Sequence, residues 1–247
     1  MRYTIFLITI AALVSCQPAE EAGEPAATEE MPADSPSATD SPSATEPMDA
    51  TAVAPDHYKV EFENDHVRVL RITYAAGDET PLHSHPDGVV VFLQDADAEM
   101  TLPDGTTQAR PGKAGDVLWA GQETHGVKAI SDIAVVLVEL KDGGGDVGMA
   151  DPDAAEVAPD HYKVELENDQ VRVLRITYAA GDESAMHAHP DGVVVFLQDG
   201  NGEMTLADGT KQERPGQAGD VLWAGHEAHG VKALTDVAVV LVELKGS

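Results

Sequence analysis

Apolar and polar residues alternate along several short segments of the chain, with the two-residue period of β-strands. This pattern predicts strands at 58–62, 66–74, 88–93, 99–102, 117–119 and 133–140. Turn-forming residues separate them at 76–78, 103–106 and 110–112, and Asp104-Gly105 is typical of a hairpin tip. Because no stretch shows a long helical period, the chain is predicted to be all-β, a sandwich or a barrel.

Every one of these segments recurs 104 residues later, as an internal direct repeat. Residues 53–141 align with 157–245 without a gap, and 18 of the 89 aligned positions differ. The connector 142–156 is rich in Gly and Asp, which predicts a flexible linker. The chain is therefore predicted to carry two small domains, at 53–141 and 157–247. Domains this small bury a modest fraction of their surface, so we expect them to pack on each other.

The N-terminus has the features of an export signal. An apolar run of twelve residues at 3–14 is too short to span a bilayer and ends in Leu13-Val14-Ser15-Cys16. This ending resembles the lipobox of bacterial lipoproteins, which implies that 1–16 form a signal peptide and that Cys16 is lipidated. The localisation so implied is the cell envelope, on the periplasmic side of the outer membrane. The alternative is an ordinary signal peptide with a chance cysteine.

Charge is distributed unevenly and excludes several partners. The chain has 15 Lys and Arg against 44 Asp and Glu, a net charge of -29. Nucleic acid and anionic membrane surfaces are therefore excluded as partners, and membrane contact is expected only through the lipid anchor. Residues 17–52 are acidic and rich in Pro, Ser and Ala, which predicts a disordered tether. The single Cys excludes an intramolecular disulfide.

Histidines carry the chemical signal of each repeat. His83 and His85 are separated by one residue, and so are His187 and His189. On a strand, residues i and i+2 point to the same face, so two imidazoles can converge on one metal ion. A third histidine follows a later predicted strand in each repeat, at His125 and His229.

The segments around these histidines resemble the two motifs of the cupin superfamily. Residues 77–85 read G-x5-H-x-H, and 115–125 carry Gly-Asp-Val, a strand and the third histidine. The resemblance implies a bicupin of two tandem jelly-roll β-barrels. It also implies that each repeat binds a metal ion through three histidines, which are His83, His85 and His125 in the first and His187, His189 and His229 in the second.

Departures from the motifs change the implied ligand set. Val89 and Val193 stand where the first motif has its metal-binding Glu. The resemblance therefore implies three neutral imidazoles and no carboxylate, as in some cupin dioxygenases. Such a set suits Fe, Zn, Cu, Ni or Mn, and affinity order favours Cu or Zn. The uncompensated charge of the ion would favour an anionic or enolisable substrate.

Other residues have candidate roles near the site. Glu123 and Glu227 precede the third histidine by two residues, and each is a candidate general acid/base or a solvated turn residue. Trp119 and Trp223 are predicted to pack. The arginines in the second predicted strand of each repeat are predicted to form solvent-facing ion pairs; they are Arg68, Arg71, Arg172 and Arg175.

Three functions remain open from the sequence. The first is a metal-dependent oxygenase of a small organic substrate, with a small molecule as its partner. The second is a non-catalytic module that binds metal or a small ligand, and the third is a structural bicupin with empty pockets. Fold alone does not decide among them, because one fold supports many chemistries.

Overall fold

The computed structural model describes residues 48–141 and 151–246, and each range forms one antiparallel β-barrel of two facing sheets. The predicted signal peptide with Cys16, the tether up to residue 47 and the linker from 142 to 150 lie outside the described residues. Within the described ranges, no helix is long and apolar enough to cross a membrane.

The first barrel joins a five-stranded sheet to a four-stranded sheet. Its elements are α1 (Ala50–Val53), β1 (Tyr58–Glu63), β2 (Val67–Tyr74), β3 (Glu79–His85), β4 (Gly88–Phe92), β5 (Ala98–Thr101), β6 (Thr107–Ala109), β7 (Val117–Ala120), β8 (Glu123–Ala129) and β9 (Ile133–Leu140). The strand orders are β1-β2-β9-β4-β7 and β3-β8-β5-β6. This architecture confirms the predicted all-β fold class.

The second barrel repeats the first in the same order. Its elements are α2 (Ala154–Val157), β10 (Tyr162–Glu167), β11 (Val171–Tyr178), β12 (Glu183–His189), β13 (Gly192–Phe196), β14 (Gly200–Leu206), β15 (Lys211–Gly216), β16 (Val221–Ala224), β17 (Glu227–Ala233) and β18 (Val237–Leu244). The strand orders are β10-β11-β18-β13-β16 and β12-β17-β14-β15.

The six predicted strands of the first repeat are present, and the predicted hairpin tip joins β5 to β6. At that tip Gly105 has a φ of +81°, which glycine adopts without strain. Three further strands are not predicted by the alternation. β3 and β8 carry the histidines among polar residues, and β6 is exposed along its whole length, so none has a clear apolar period.

Each barrel begins earlier than the sequence predicts. Residues 50–52 and 154–156 fall in the predicted tether and linker, but they form α1 and α2. Ala50 is fully buried, and the carboxylate of Asp49 accepts a hydrogen bond from the backbone N–H of Thr51. The first barrel therefore includes Asp49. These short helices contact the first and third strands of each barrel, and a small buried alanine and a capping aspartate anchor them.

The five-stranded sheet of each barrel has two buried faces. Side chains on the inner face form the barrel's own core, whereas those on the outer face are valines that meet the valines of the other barrel. This layer is fully buried and contains Val67, Val69, Val89, Val91, Val136, Val138, Val171, Val173, Val193, Val195, Val240 and Val242. The two barrels therefore pack on each other through these sheets, as expected from their size.

Reciprocal polar contacts flank this valine layer. Arg71 Nη2 donates to the carbonyl oxygen of Gly219 at 2.5 Å, and Arg175 Nη2 donates to that of Gly115 at 2.5 Å. Arg71 also forms an ion pair with Glu61. The predicted ion pairs of these arginines are present, but the arginines are not solvent-facing, since their position in the strand turns them toward the other barrel.

Candidate metal centre

An irregularity in β3 turns two histidines into the barrel. Thr80 pairs with Val127 and His83 pairs with His125, and the register shifts between these pairs. Strict alternation from the buried Thr80 would place residue 82 inside, but Leu82 is exposed while His83 and His85 are buried. A β-bulge re-aims side chains in this way. The same shift occurs in β12, between Ser184 and His187.

The structure brings together the six histidines predicted as ligands, in two groups of three. In the first barrel the imidazole centroids are separated by 5.1 Å (His83–His85), 5.0 Å (His83–His125) and 5.5 Å (His85–His125). Each residue offers one ring nitrogen, and these nitrogens lie within 4.8 Å of one another. None of the three residues is more than 9% exposed. The second group, His187, His189 and His229, has the same arrangement.

Hydrogen bonds fix the tautomer of two ligands in each group. His83 Nδ1 donates to the carbonyl oxygen of Pro81 at 2.8 Å, and His85 Nδ1 donates to Glu139 Oε1 at 2.7 Å. Because Nδ1 carries the proton in both rings, Nε2 keeps its lone pair and becomes the nitrogen that binds a metal ion. Carboxylate–histidine pairs of this kind orient ligands in known metal sites.

Glu139 is a functional residue that the sequence analysis missed. Its carboxylate is 1% exposed, and Oε2 accepts a hydrogen bond from Arg68 Nε at 2.5 Å. Arg68 in turn pairs with Asp49 at 2.6 Å. Arg68 thus lies behind the ligand His85, which corrects its prediction as a solvent-facing residue. The sequence signal was a lone carboxylate inside the apolar strand β9.

Tyr58 contacts the group from the opposite side and was also missed. Its hydroxyl lies 2.8 Å from His83 Nε2, and Tyr74 donates to the Tyr58 oxygen at 2.8 Å. Since His83 Nδ1 donates to Pro81, Nε2 accepts and the Tyr58 hydroxyl is the donor. Burial raises the pKa of Tyr58 well above its usual value, so this hydroxyl keeps its proton at neutral pH.

Glu123 lies behind the third histidine and lines the cavity. Its Oε1 is 3.4 Å from His125 Nδ1, and both carboxylate oxygens are 2.9 Å from Arg110 Nη2. In the second barrel Glu227 Oε1 lies 3.0 Å from His229 Nδ1, and its other oxygen pairs with Arg214. The contact in the second barrel is a hydrogen bond that can orient His229, whereas His125 Nδ1 has no hydrogen-bond partner. A role as general acid/base stays a prediction.

The valine at the motif position of the missing glutamate does not face the histidines. Val89 is buried in the layer between the barrels, so its side chain points away from the histidines. The next residue, Val90, lines the cavity instead. Both are apolar, and no carboxylate from this strand reaches the three histidines.

Burial lowers the pKa of four of the six histidines. Desolvation lowers the pKa of His83 and of His125 to about 4, with neighbouring imidazoles adding to the effect at His125, and the pKa values of His187 and His229 are lowered to about 4 in the same way. These four imidazoles are therefore neutral, as metal binding requires, even in mildly acidic solution.

These pKa values predict an acid-dependent loss of stability in metal-free protein. Histidine in an unfolded chain titrates near about 6.5, so the unfolded state binds more protons than the folded state between that pH and about 4. Stability should be complete above about 6.5 and should fall progressively toward pH 4. Urea unfolding of chelator-treated protein measures this, and a midpoint that is constant across the window would contradict it.

Apolar side chains enclose a cavity beside each histidine group. The cavity of the first barrel has a volume of about 100 Å³ and that of the second about 440 Å³. Trp119 does not line the first cavity and packs in the layer between the barrels, as predicted. Trp223 packs there too, but it also lines the second cavity.

The donor set fits a divalent transition-metal ion. Three buried imidazoles converge, and Nδ1 of two of them is held by a hydrogen bond. Imidazole suits Zn, Cu, Fe and Ni. Binding requires that the Tyr58 hydroxyl leave His83 Nε2, because one lone pair cannot serve both.

Comparison with known proteins gives the fold. No family model matches the chain, and no curated protein matches its sequence. Among solved structures, it is similar to salicylate 1,2-dioxygenase of Pseudoaminobacter salicylatoxidans, a point mutant in complex with gentisate (12% identity, 74% of each chain, TM-score 0.51). It is also similar to oxalate decarboxylase of Bacillus subtilis (13% identity, 73% of this chain and 68% of that chain, TM-score 0.51).

A cupin 2 conserved barrel domain protein of Leptotrichia buccalis also matches (10% identity, 76% of this chain and 88% of that chain, TM-score 0.49). At these identities the likeness concerns the fold. Two tandem antiparallel barrels, each with a buried group of three histidines, agree with the resemblance found in the motifs. The chain has the two-barrel fold of the bicupins.

Proposed function

We propose that this chain is an envelope-anchored bicupin whose barrels each hold a divalent metal ion and act as an oxygenase of a small organic substrate. The observation that carries the proposal is the buried group of three histidines, with Nδ1 of two rings already bonded, next to an apolar cavity. Catalytic metal sites commonly combine three protein ligands with open positions.

The residues around the site have different roles in this proposal. A redox-active ion bound by the imidazoles would supply open positions for dioxygen and for a polar group of the substrate. Glu139 and Pro81 hold the imidazoles in place. The Tyr58 hydroxyl donates a hydrogen bond at the edge of the site, and the walls of the adjoining cavity are mostly apolar.

A second candidate function is a non-catalytic module that binds metal or a small ligand. The observation that favours it is the volume of the first cavity, about 100 Å³, which leaves little room for a substrate beside the histidines. Under this alternative, the first barrel would hold an ion for stability alone.

Metal analysis together with oxygen consumption distinguishes these functions. Protein purified from the envelope is expected to carry close to two ions per chain and to consume oxygen with some member of a panel of thiols, diketones and phenolics. Two ions without oxygen consumption would favour the non-catalytic module. Protein that takes up no metal would overturn both, leaving a structural role.

Anchoring makes a separate prediction about Cys16. In a Gram-negative host, Cys16→Ser is expected to move the protein from the membrane fraction to the soluble envelope fraction, because the lipidated thiol would be lost. Fractionation followed by immunoblotting measures this, with Ser15→Ala as a control that keeps the cysteine. A variant that stays with the membrane as firmly as the parent would refute the anchor.

A further inference from the structure

We propose that the two barrels select ligands of different size. In this proposal, both barrels present the same reactive centre, but the second accepts an apolar body of at least one aromatic ring, which the first excludes. The inference rests on the proposed function in one respect, since the histidine group marks where the reactive end of a ligand lies.

The histidine groups beside the two cavities have the same geometry and equivalent contacts. Imidazole centroids are separated by 5.0, 4.9 and 5.5 Å in the second barrel, within 0.1 Å of their counterparts in the first. His189 Nδ1 contacts Glu243 at 2.8 Å, and the Tyr162 hydroxyl contacts His187 Nε2 at 2.8 Å. A difference between the barrels therefore lies in the walls and not in the ligating groups.

Wall residues of the second barrel are smaller than those of the first. Ala98 and Ile133 line the first cavity, and the residues in their places, Gly202 and Val237, line the second. Each replacement removes one carbon. These are two of the 18 positions at which the repeats differ, and both enlarge the same cavity.

The opposite wall is held constant, so it does not offset this difference. A Cβ at Gly112 would lie 2.2 Å from the Phe92 ring, and a Cβ at Gly216 would lie 2.4 Å from the Phe196 ring. Each phenyl ring therefore rests directly on a glycine in both barrels. The two rings occupy equivalent positions, so this part of the wall does not contribute to the difference in volume.

The second cavity also extends to a tryptophan that the first barrel supports. Trp223 packs against Phe62 at a centroid distance of 6.5 Å and stacks on His66 at 5.8 Å. The corresponding neighbours of Trp119 in the other repeat are Leu166 and Gln170, which have no rings. The aromatic stack is thus present on one side only, and Trp223 is the member of it that lines the larger cavity.

The volumes indicate the class of ligand. An apolar cavity of about 150 Å³ is enough for benzene. The first cavity, at about 100 Å³, is below this value and the second, at about 440 Å³, is well above it. Arg214 and Glu227 add polar groups to a lining that is otherwise mostly apolar. The second barrel therefore fits an aromatic compound with one polar substituent.

Binding of 2-naphthol to the full chain tests the proposal. Chelator-treated wild-type protein is expected to bind one molecule per chain, as measured by fluorescence titration. Gly202→Ala/Val237→Ile gives the second cavity the two wall residues of the first and should weaken this site severalfold, because each added carbon takes space from the ligand. The added Cβ at residue 202 has its nearest neighbours at 3.8 Å, so the variant fits the fold.

The reciprocal variant keeps the test decisive. Ala98→Gly/Ile133→Val only removes atoms, and it is expected to add a second, weaker naphthol site. Wild-type protein that binds two equivalent molecules, or none, would overturn the proposal, as would two variants with unchanged stoichiometry and affinity. Because the titration uses metal-free protein, its outcome is independent of metal content, which is measured separately on the same preparations and tests the proposed function.

Discussion

Replacing His83 by alanine is expected to remove one of two metal ions from each chain. Two remaining imidazoles are fewer than the three protein ligands of a typical catalytic site, and the adjacent wall, with Val90, offers no substitute. His187→Ala should have the same effect in the second barrel, and the double variant should bind none. Elemental analysis after dialysis against a weak chelator measures the stoichiometry.

A matched control is present in the chain itself. His226 is exposed and lies outside both groups, and the first repeat has Gln122 in its place. His226→Gln therefore removes a histidine in favour of a residue that the fold already accepts. It should retain both ions. Retention of two ions by His83→Ala would show that the three imidazoles do not form the site.

Glu139→Gln is expected to have the largest effect on stability of any of these substitutions. It removes the buried charge that Arg68 faces at 2.5 Å, although Arg68 keeps its contact with Asp49. Leaving one member of a buried pair alone costs about 3–5 kcal/mol, so we expect a loss near 3 kcal/mol in the free energy of unfolding. Metal affinity should also fall about 10–100-fold, since His85 loses its anionic partner.

Chemical denaturation and metal competition measure these two effects. Glu79→Gln is a suitable control, because Glu79 pairs with Lys128 at an exposed position of β3 and carries the same change of charge. Its unfolding midpoint should match that of the parent protein. If Glu139→Gln were as stable as this control and bound metal equally well, the proposed role of the buried carboxylate would be wrong.

The fold was accessible from sequence because its signals are local. Alternation and turn residues define most strands, and a gapless repeat defines two domains. The histidine pair was recognisable for the same reason, since two residues one position apart share a face of any strand. The bulge that turns His83 inward could not be predicted from the sequence, because it depends on how β3 pairs with β8.

The residues that contact the histidines could not be predicted from the sequence, for a different reason. Glu139 contacts His85 across 54 residues of sequence, and Tyr58 contacts His83 across 25. No local pattern joins such residues; only the packing of the two facing sheets brings β9 and β1 across the barrel from β3. The lone glutamate in a strand buried on both faces was nevertheless a signal, because an ionised carboxylate is stable there only when paired.

The valine layer and its reciprocal arginine contacts have a consequence for how the chain is assembled. Each barrel presents the same strip of surface to the other, and Arg71 and Arg175 make equivalent contacts across it. A protein with one such barrel could cover its valine strip only by associating with a second copy, and such a dimer dissociates as the protein is diluted. Joining the repeats in one chain makes the pairing intramolecular, so that it depends on a fixed effective concentration and no longer on the protein concentration. The two barrels would thereby stay paired even in dilute solution.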